Sequence, residues 1–389
     1  MVWLVVSKKR VKGVANLQYL FRYHVKPSAA HMTIGSRVNK LDYIRCLAIL
    51  LVVVCHCNER LYGKIAAPQL RITLSYSAFF ALGRIGVPLF LFLTGSLVLS
   101  KLVKGNDDVA SFYKRKLLPL VVSAALCTAF YYVRSILILD QPFDIFQAFR
   151  ILLLLENCPR AVLWYLPMII GIYIALPFVA VVFRNFTFRS FSLPLGVLLL
   201  VQFVLPFVSN ISVVFGFSPI AGNSALDISF LGGAYGFYII FGYFVQSGAF
   251  DINNNSRAIL TAGVTSFLFL VVMLFISTTY QRGYVLWYSD LLLLIASCCL
   301  YLLLFSYLRL RRCHVIELIS RASFGIYLVH YAVIDLFQSP FIAMSQMGAL
   351  GYFASVSILS VTVFGVTFLL ILAINKVSPK IAALLFLFK

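Results

Sequence analysis

Apolar residues run in long, nearly unbroken blocks along this chain, separated by short polar connectors. Blocks of that length read as membrane-spanning α-helices, which satisfy their own backbone hydrogen bonds in lipid. They are too long and too continuous for the alternating segments of an outer-membrane barrel. Ten spans are predicted, at 41–58, 84–102, 117–139, 162–183, 191–208, 228–249, 258–277, 285–308, 323–338 and 352–374. The segment 144–155, DIFQAFRILLLL, is too short to cross and is predicted to be an interfacial or re-entrant helix. The fold class is therefore all-α and polytopic, with a membrane domain over 41–375 and a tail over 376–389.

Composition supports this. The chain of 389 residues is 62% hydrophobic and 11% charged, against about a quarter charged in soluble domains. Its net charge of +20 does not call for nucleic acid, because a basic binding face needs a soluble surface to sit on. Loop charge asymmetry explains the excess. With the N-terminus inside, only Arg60, Lys64, Arg71, Arg84, Arg150, Arg160 and Arg282 fall in outer segments. Most of the other Lys and Arg residues fall in inner segments, so both termini are expected in the cytoplasm. Residues 1–40 are basic and hold no acid. They are expected to be a cytoplasmic arm, disordered or lying on the membrane. Met32 is an alternative start, and residues 1–31 are expected to be dispensable. The eight cysteines show neither metal-ligand spacing nor a disulfide framework. A Cys57–Cys158 bridge is conceivable, since both could face outside.

The first span, LDYIRCLAILLVVVCHCNE, breaks the apolar pattern with Asp42 and Arg45 at one end and His56 and Glu59 at the other. Ionisable groups in or beside a span are costly and mark function by default. At about 100° per residue, Arg45 and His56 lie within about 20° of one helix face, roughly 16 Å apart along it. Asp42 with Arg45, and His56 with Glu59, are each three apart and able to pair.

At this point the residues resemble the acyltransferase-3 family of integral-membrane acyltransferases. The Arg45–His56 spacing is similar to that family's first-span signature. Five further stretches agree in order: GRIGVPLFLFLTGSLVL at 83–99, FYKRKLLPL at 112–120, LWYLPMIIGIYIALP at 163–177, FYIIFGYFV at 237–245 and SRASFGIYLVHYAVI at 320–334. The resemblance implies transfer of an acyl group, usually acetyl, from cytoplasmic acyl-CoA to a hydroxyl of an envelope glycan or lipid-linked sugar. It implies acyl-CoA as donor substrate and no metal. The expected partners are acyl-CoA, the glycan acceptor and membrane lipid, in a bacterial inner membrane.

Each candidate has a plain structural alternative. His56 is a general base or an acyl acceptor, since an ordinary imidazole titrates near neutrality; otherwise it caps a helix end. Glu59 orients His56 or is simply solvated. Asp42 and Arg45 form a structural pair, or Arg45 holds the donor's phosphates or pantetheine amide with Asp42 orienting it. Arg84 contacts the acceptor or Glu59, or snorkels to the interface. Arg134 is expected to snorkel. Arg115, with Lys114 and Lys116, attracts the phosphates of coenzyme A or merely follows the inside-charge bias. Trp164 and Tyr165 stack on a sugar or anchor the interface. His330 is a second catalytic histidine or a packed helix-end residue. Tyr238 and Tyr243 are weaker candidates, and Asp227 and Asp290 are alternative candidates for binding a sugar hydroxyl. The rival function is a transporter of a glycan, lipid or small solute, because charges within spans also suit a proton-coupled carrier.

Overall fold

The computed structural model describes residues 34–388 except 106–107, 140, 154, 157–160, 186–187, 220–232, 251, 253 and 309. The expectations for residues 1–31, Cys158 and Asp227 lie outside the described residues. The chain divides into two units, Met1–Val38 and Asn39–Lys389, and the candidate site lies in the second.

The described residues form helices and no strand. In chain order these are α1 (Ile34–Tyr62), α2 (Leu70–Arg84), α3 (Gly86–Thr94), α4 (Ser100–Val103), α5 (Val109–Phe112), α6 (Leu118–Leu139), α7 (Ile145–Leu152), α8 (Tyr165–Asn185) and α9 (Phe188–Leu199). They continue as α10 (Leu205–Val214), α11 (Ala234–Ser247), α12 (Ser256–Thr279), α13 (Leu291–Tyr307), α14 (His314–Phe337), α15 (Ser339–Ser345), α16 (Ala349–Val377) and α17 (Pro379–Phe386). Wide π-helical turns at Gly95–Leu99, Tyr113–Leu117 and Leu200–Val204 join α3 to α4, α5 to α6 and α9 to α10.

The protein is an all-helical polytopic membrane protein. Among the described residues, seven helical stretches are long and apolar enough to cross a bilayer, or eight if α14 and α15, bent by 71°, form one span. Each of the ten predicted spans overlaps a helix. The segment predicted at 285–308 becomes helical only at Leu291, because the Asp290 side chain accepts the Leu293 N–H and caps the helix there. The predicted 84–102 span begins much earlier, at Leu70. Among its described residues, the segment 144–155 holds only the two-turn helix α7, capped by Asp144 and exposing Phe146 and Phe149.

Large apolar side chains point outward along the long helices, for example Leu137, Leu193 and Val361, as a lipid-facing surface requires. Inside, close helix packing rests on small residues. A side chain at Gly95 would collide with the Ile239 carbonyl, and one at Gly242 with the Phe92 carbonyl. α3 and α11 therefore cross backbone to backbone, and Ser96 Oγ donates to the Gly242 carbonyl at 2.8 Å. At Gly83 an added carbon would lie 2.6 Å from Cys55 Cβ, so α2 packs tightly on α1. The glycines of two recognised stretches are thus packing residues.

Polar contacts fix α1 among its neighbours. Asn58, fully buried, donates to the Tyr76 carbonyl at 3.1 Å and accepts from the Tyr352 hydroxyl at 2.7 Å, tying α1 to α2 and α16. Arg60 pairs with Asp335 of α14, and Arg134 of α6 donates to the other oxygen of the same carboxylate at 2.8 Å. Arg134 was expected to snorkel; the structure instead uses it as an ion-pair partner, because Asp335 stands opposite it.

Candidate active site

Three helical stretches supply the core of the site, and each runs through the same set of environments. α1 carries Arg45, then Val52, then His56. α14 carries Ser320 and Arg321, then Phe324 and Tyr327, then His330. The α2–α4 stretch runs the opposite way, from Arg84 through Val87 and Leu93 to Lys101. Packed together, they create a basic end, an apolar middle and a histidine end.

At the histidine end, His56 Nδ1 lies 2.8 Å from Glu59 Oε2, one helical turn along α1. With Glu59 as a carboxylate acceptor, Nδ1 carries a proton. The other Glu59 oxygen lies 3.5 Å from Arg84, whose guanidinium also reaches the Tyr288 hydroxyl at 3.4 Å. The guanidinium stacks over Phe80 as well, 4.6 Å from the ring centre. Arg84, last residue of α2, is therefore held on Glu59 by an aromatic cradle.

His330 sits beside His56, with ring centres 5.3 Å apart. It is fully buried, and its Nδ1 bonds to the carbonyl oxygens of Tyr327 at 2.6 Å and Ile326 at 3.1 Å. Carbonyls only accept, so Nδ1 is the protonated nitrogen. Nε2 is buried and has no hydrogen-bond partner. Two imidazoles thus stand side by side. The edge of Tyr331 packs on His56 at 5.9 Å.

At the basic end, Asp42 and Arg45 are 3.7 Å apart, and Ser320 joins them more closely. Its hydroxyl donates to Asp42 at 2.5 Å and accepts from Arg45 at 3.0 Å. Arg45 opens onto a cavity of about 520 Å³. Lys101, Arg115, Lys116 and Arg321 line it too, while Val52, Val87, Phe90, Leu93 and Ile169 form its apolar wall. Lys114 does not line it; the π-helical turn carrying all three basic residues aims only Arg115 and Lys116 inward. A second space, of about 20 Å³, is bounded by His56, Arg84, Cys55, Gly83, Trp164 and Tyr288. Val52, Val87, Tyr165 and Tyr327 line both spaces and form a shared neck.

The predicted residues thus fall into two groups. His56, Glu59, Arg84 and His330 come together, with Trp164 and Tyr165 walling the small chamber. Asp42, Arg45, Arg115 and Lys116 gather around the basic end. Trp164 stacks at 5.2 Å on Tyr288 and packs on Trp287, within an aromatic cluster rather than alone. Asp290 is buried, bonds the Tyr284 hydroxyl at 2.5 Å and caps α13, so it has no free oxygen face for a sugar. Tyr238 is buried and donates to the Tyr288 carbonyl, a packing role. Tyr243 packs on Phe183, away from both spaces.

Ser320, Lys101, Arg321, Tyr288, Tyr327 and the Arg60–Asp335–Arg134 set were missed as site or structural residues. In the sequence Lys101 and Arg321 read only as part of the inner-segment charge excess. Ser320 opens a recognised stretch but carries no charge to draw attention. No group of three or more His, Cys, Asp or Glu suited to a metal occurs among the described residues.

Fold and site together define a helical membrane protein with a histidine, carboxylate and arginine set inside its bundle. Residues 38–374 match the acyltransferase-3 family, described as an acyltransferase domain, and the chain belongs to that family. It is an acyltransferase of membrane type. No curated protein and no solved structure matches the chain.

Proposed function

We propose that the protein moves an acetyl group from cytoplasmic acetyl-CoA to a hydroxyl of an envelope glycan or lipid-linked sugar, in a bacterial inner membrane with both termini in the cytoplasm. The observation that carries this reading is the shared neck. A basic cavity and a histidine chamber meet at Val52, Val87, Tyr165 and Tyr327. Coenzyme A needs cations for its phosphates and a narrow apolar path for its pantetheine arm, and this layout offers both in order.

In the proposed reaction, His56 Nε2 takes the proton of the acceptor hydroxyl while Glu59 holds Nδ1–H. The acceptor oxygen attacks the thioester carbonyl, forming a C–O bond. The tetrahedral oxyanion gains an N–H donor from Arg84. Its collapse breaks the C–S bond, and the leaving thiolate takes the proton back from His56 as the thiol. His330, buried behind His56 with an unpartnered Nε2, lines neither space and would act as a second proton acceptor only through His56. Asp42 and Ser320 orient Arg45, and Arg115 and Lys116 draw the phosphates toward the mouth.

The test follows coenzyme A thiol released from acetyl-CoA by detergent-purified protein, with and without envelope glycan extract. Glycan-stimulated release that disappears in His56→Ala is the expected result. Release that persists in that variant moves the chemistry to His330. No release from folded protein with any donor and acceptor would favour a carrier that uses the same charged interior.

A further inference from the structure

At the histidine end, one guanidinium has more donors than the protein uses. Asp335 of α14 accepts from Arg60 of α1 and, through its other oxygen, from Arg134 of α6 at 2.8 Å. One arginine suffices to neutralise a carboxylate, and Arg134, the less exposed of the two, does so. Arg60 is surplus to that pairing. Among the described residues it donates hydrogen bonds through Nη2 alone, and its Nε is shielded from water without a partner. Arginine in a membrane domain is costly, and one with unused donors is a functional candidate.

Arg60 is also placed to serve His56. It lies four residues further along α1, about 6 Å up the axis and within about 40° of the same face. Tyr331 bridges the two. Its ring packs on His56 at 5.9 Å, and the Arg60 guanidinium lies 5.3 Å from its centre. About a quarter of the Arg60 side chain and about a third of Glu59 are exposed, so this strip of α1 is open to a ligand. Arg60 and Tyr331 line neither the large cavity nor the small chamber. A molecule held by Arg60 therefore approaches His56 from outside the donor cavity.

Charge at this end favours an anion. The ion pairs here set two carboxylates, Glu59 and Asp335, against three guanidiniums, Arg60, Arg84 and Arg134. Arg84 is held on Glu59 and Arg134 on Asp335, which leaves one positive charge over. A planar guanidinium binds carboxylate or phosphate through paired N–H groups. Resting on the acyl-transfer reading above, we infer that Arg60 is an acceptor-binding residue: it holds an anionic group, carboxylate or phosphate, on the sugar that presents its hydroxyl to His56 or on the sugar next to it. The anion fixes which hydroxyl faces the base. Asp335, backed by Arg134, is the positioning residue that aims the guanidinium.

The experiment uses the full-length protein in detergent with acetyl-CoA and three preparations of one envelope glycan extract: untreated, carboxyl groups amidated with methylamine, and phosphates removed with hydrofluoric acid. Thiol release is read against glycan concentration. At least one treatment should raise the half-saturating glycan concentration about ten- to a hundredfold, as loss of a charged hydrogen bond does, and the treatment that acts identifies the anion. Arg60→Gln should raise it as much on untreated extract, leave KM for acetyl-CoA unchanged and no longer respond to the treatment. Arg60→Lys should recover part of the loss. Asp335 keeps Arg134 in both variants, so their melting temperatures should stay near wild type. A loss in Arg60→Gln that falls equally on glycan and acetyl-CoA, with a lowered melting temperature, would make Arg60 a structural partner only and overturn the site. Equal wild-type release on all three extracts would overturn it too, while leaving the acyl-transfer reading in place. Thiol release from wild type on none of them would instead remove that reading, and the site with it.

Discussion

His56 combines three properties that no single one of them would make significant. Its Nδ1 is committed to Glu59, its ring packs against a second imidazole, and its chamber adjoins the large basic cavity. Loss of a positioned general base typically costs about 10²–10⁴ in rate, so His56→Ala should lose that much thiol release while keeping its melting temperature. Glu59→Gln retains a carbonyl oxygen to accept from Nδ1 and should lose less activity than Glu59→Ala; equal losses would show that the charge, rather than the orientation, is what His56 needs. The His56–Glu59 pairing was readable from their three-residue spacing. The tautomer of His330 was not, because it depends on carbonyls that only a folded helix aims at the ring.

Glycine and ion-pair contacts hold the helices in the order that lines up the two spaces. Gly95 and Gly242 let α3 and α11 touch through their backbones. Gly242→Val has no room to be accommodated, and overpacking of this kind costs about 1–3 kcal/mol or more. A lowered melting temperature and aggregation in detergent are expected, and a normal melt would mean that the crossing is looser than described. Asp335 pairs with two arginines from different helices and is itself almost wholly buried. Removing one member of a buried ion pair costs about 3–5 kcal/mol. Arg60 is about a quarter exposed (27%), which puts Asp335→Ala at the low end of that range. Thermal unfolding of the variant checks this, and restoring stability by a second change, Arg134→Met, would show that the unpaired charge is the cause. Helix positions were legible from the apolar blocks, whereas these crossings were not, since a glycine in a span looks the same whether it meets lipid or another backbone.

At the scale of the whole molecule, cations from several helices converge on one cavity of the Asn39–Lys389 unit. Five cations line the large cavity at its basic end. If they hold a nucleotide phosphate, dephospho-CoA thioesters should show a raised KM, and Arg115→Ala should raise KM more for acetyl-CoA than for its dephospho form. Added salt should raise KM for both by screening the cations. Equal effects on the two donors would remove Arg115 from the 3′-phosphate. The basic excess itself was plain in the sequence, but as a bias of inner loops; its convergence on a cavity was hidden by the distance in sequence between Arg45, Lys101, Arg115 and Arg321.

The sequence by itself determined the class of protein, the approximate positions of the helices and the face shared by Arg45 and His56. These follow from local quantities: the length of apolar runs, the cost of charge in lipid and the helical repeat. It also determined, through six stretches in order, the resemblance to the family that the chain belongs to. Only the tertiary structure decided that His330 stands beside His56, that Arg84 reaches Glu59, that Arg134 and Arg60 share Asp335, and that a wide basic cavity narrows to a small chamber. Those contacts join residues far apart in the chain, and their partners are selected by how helices pack rather than by any pattern along one of them.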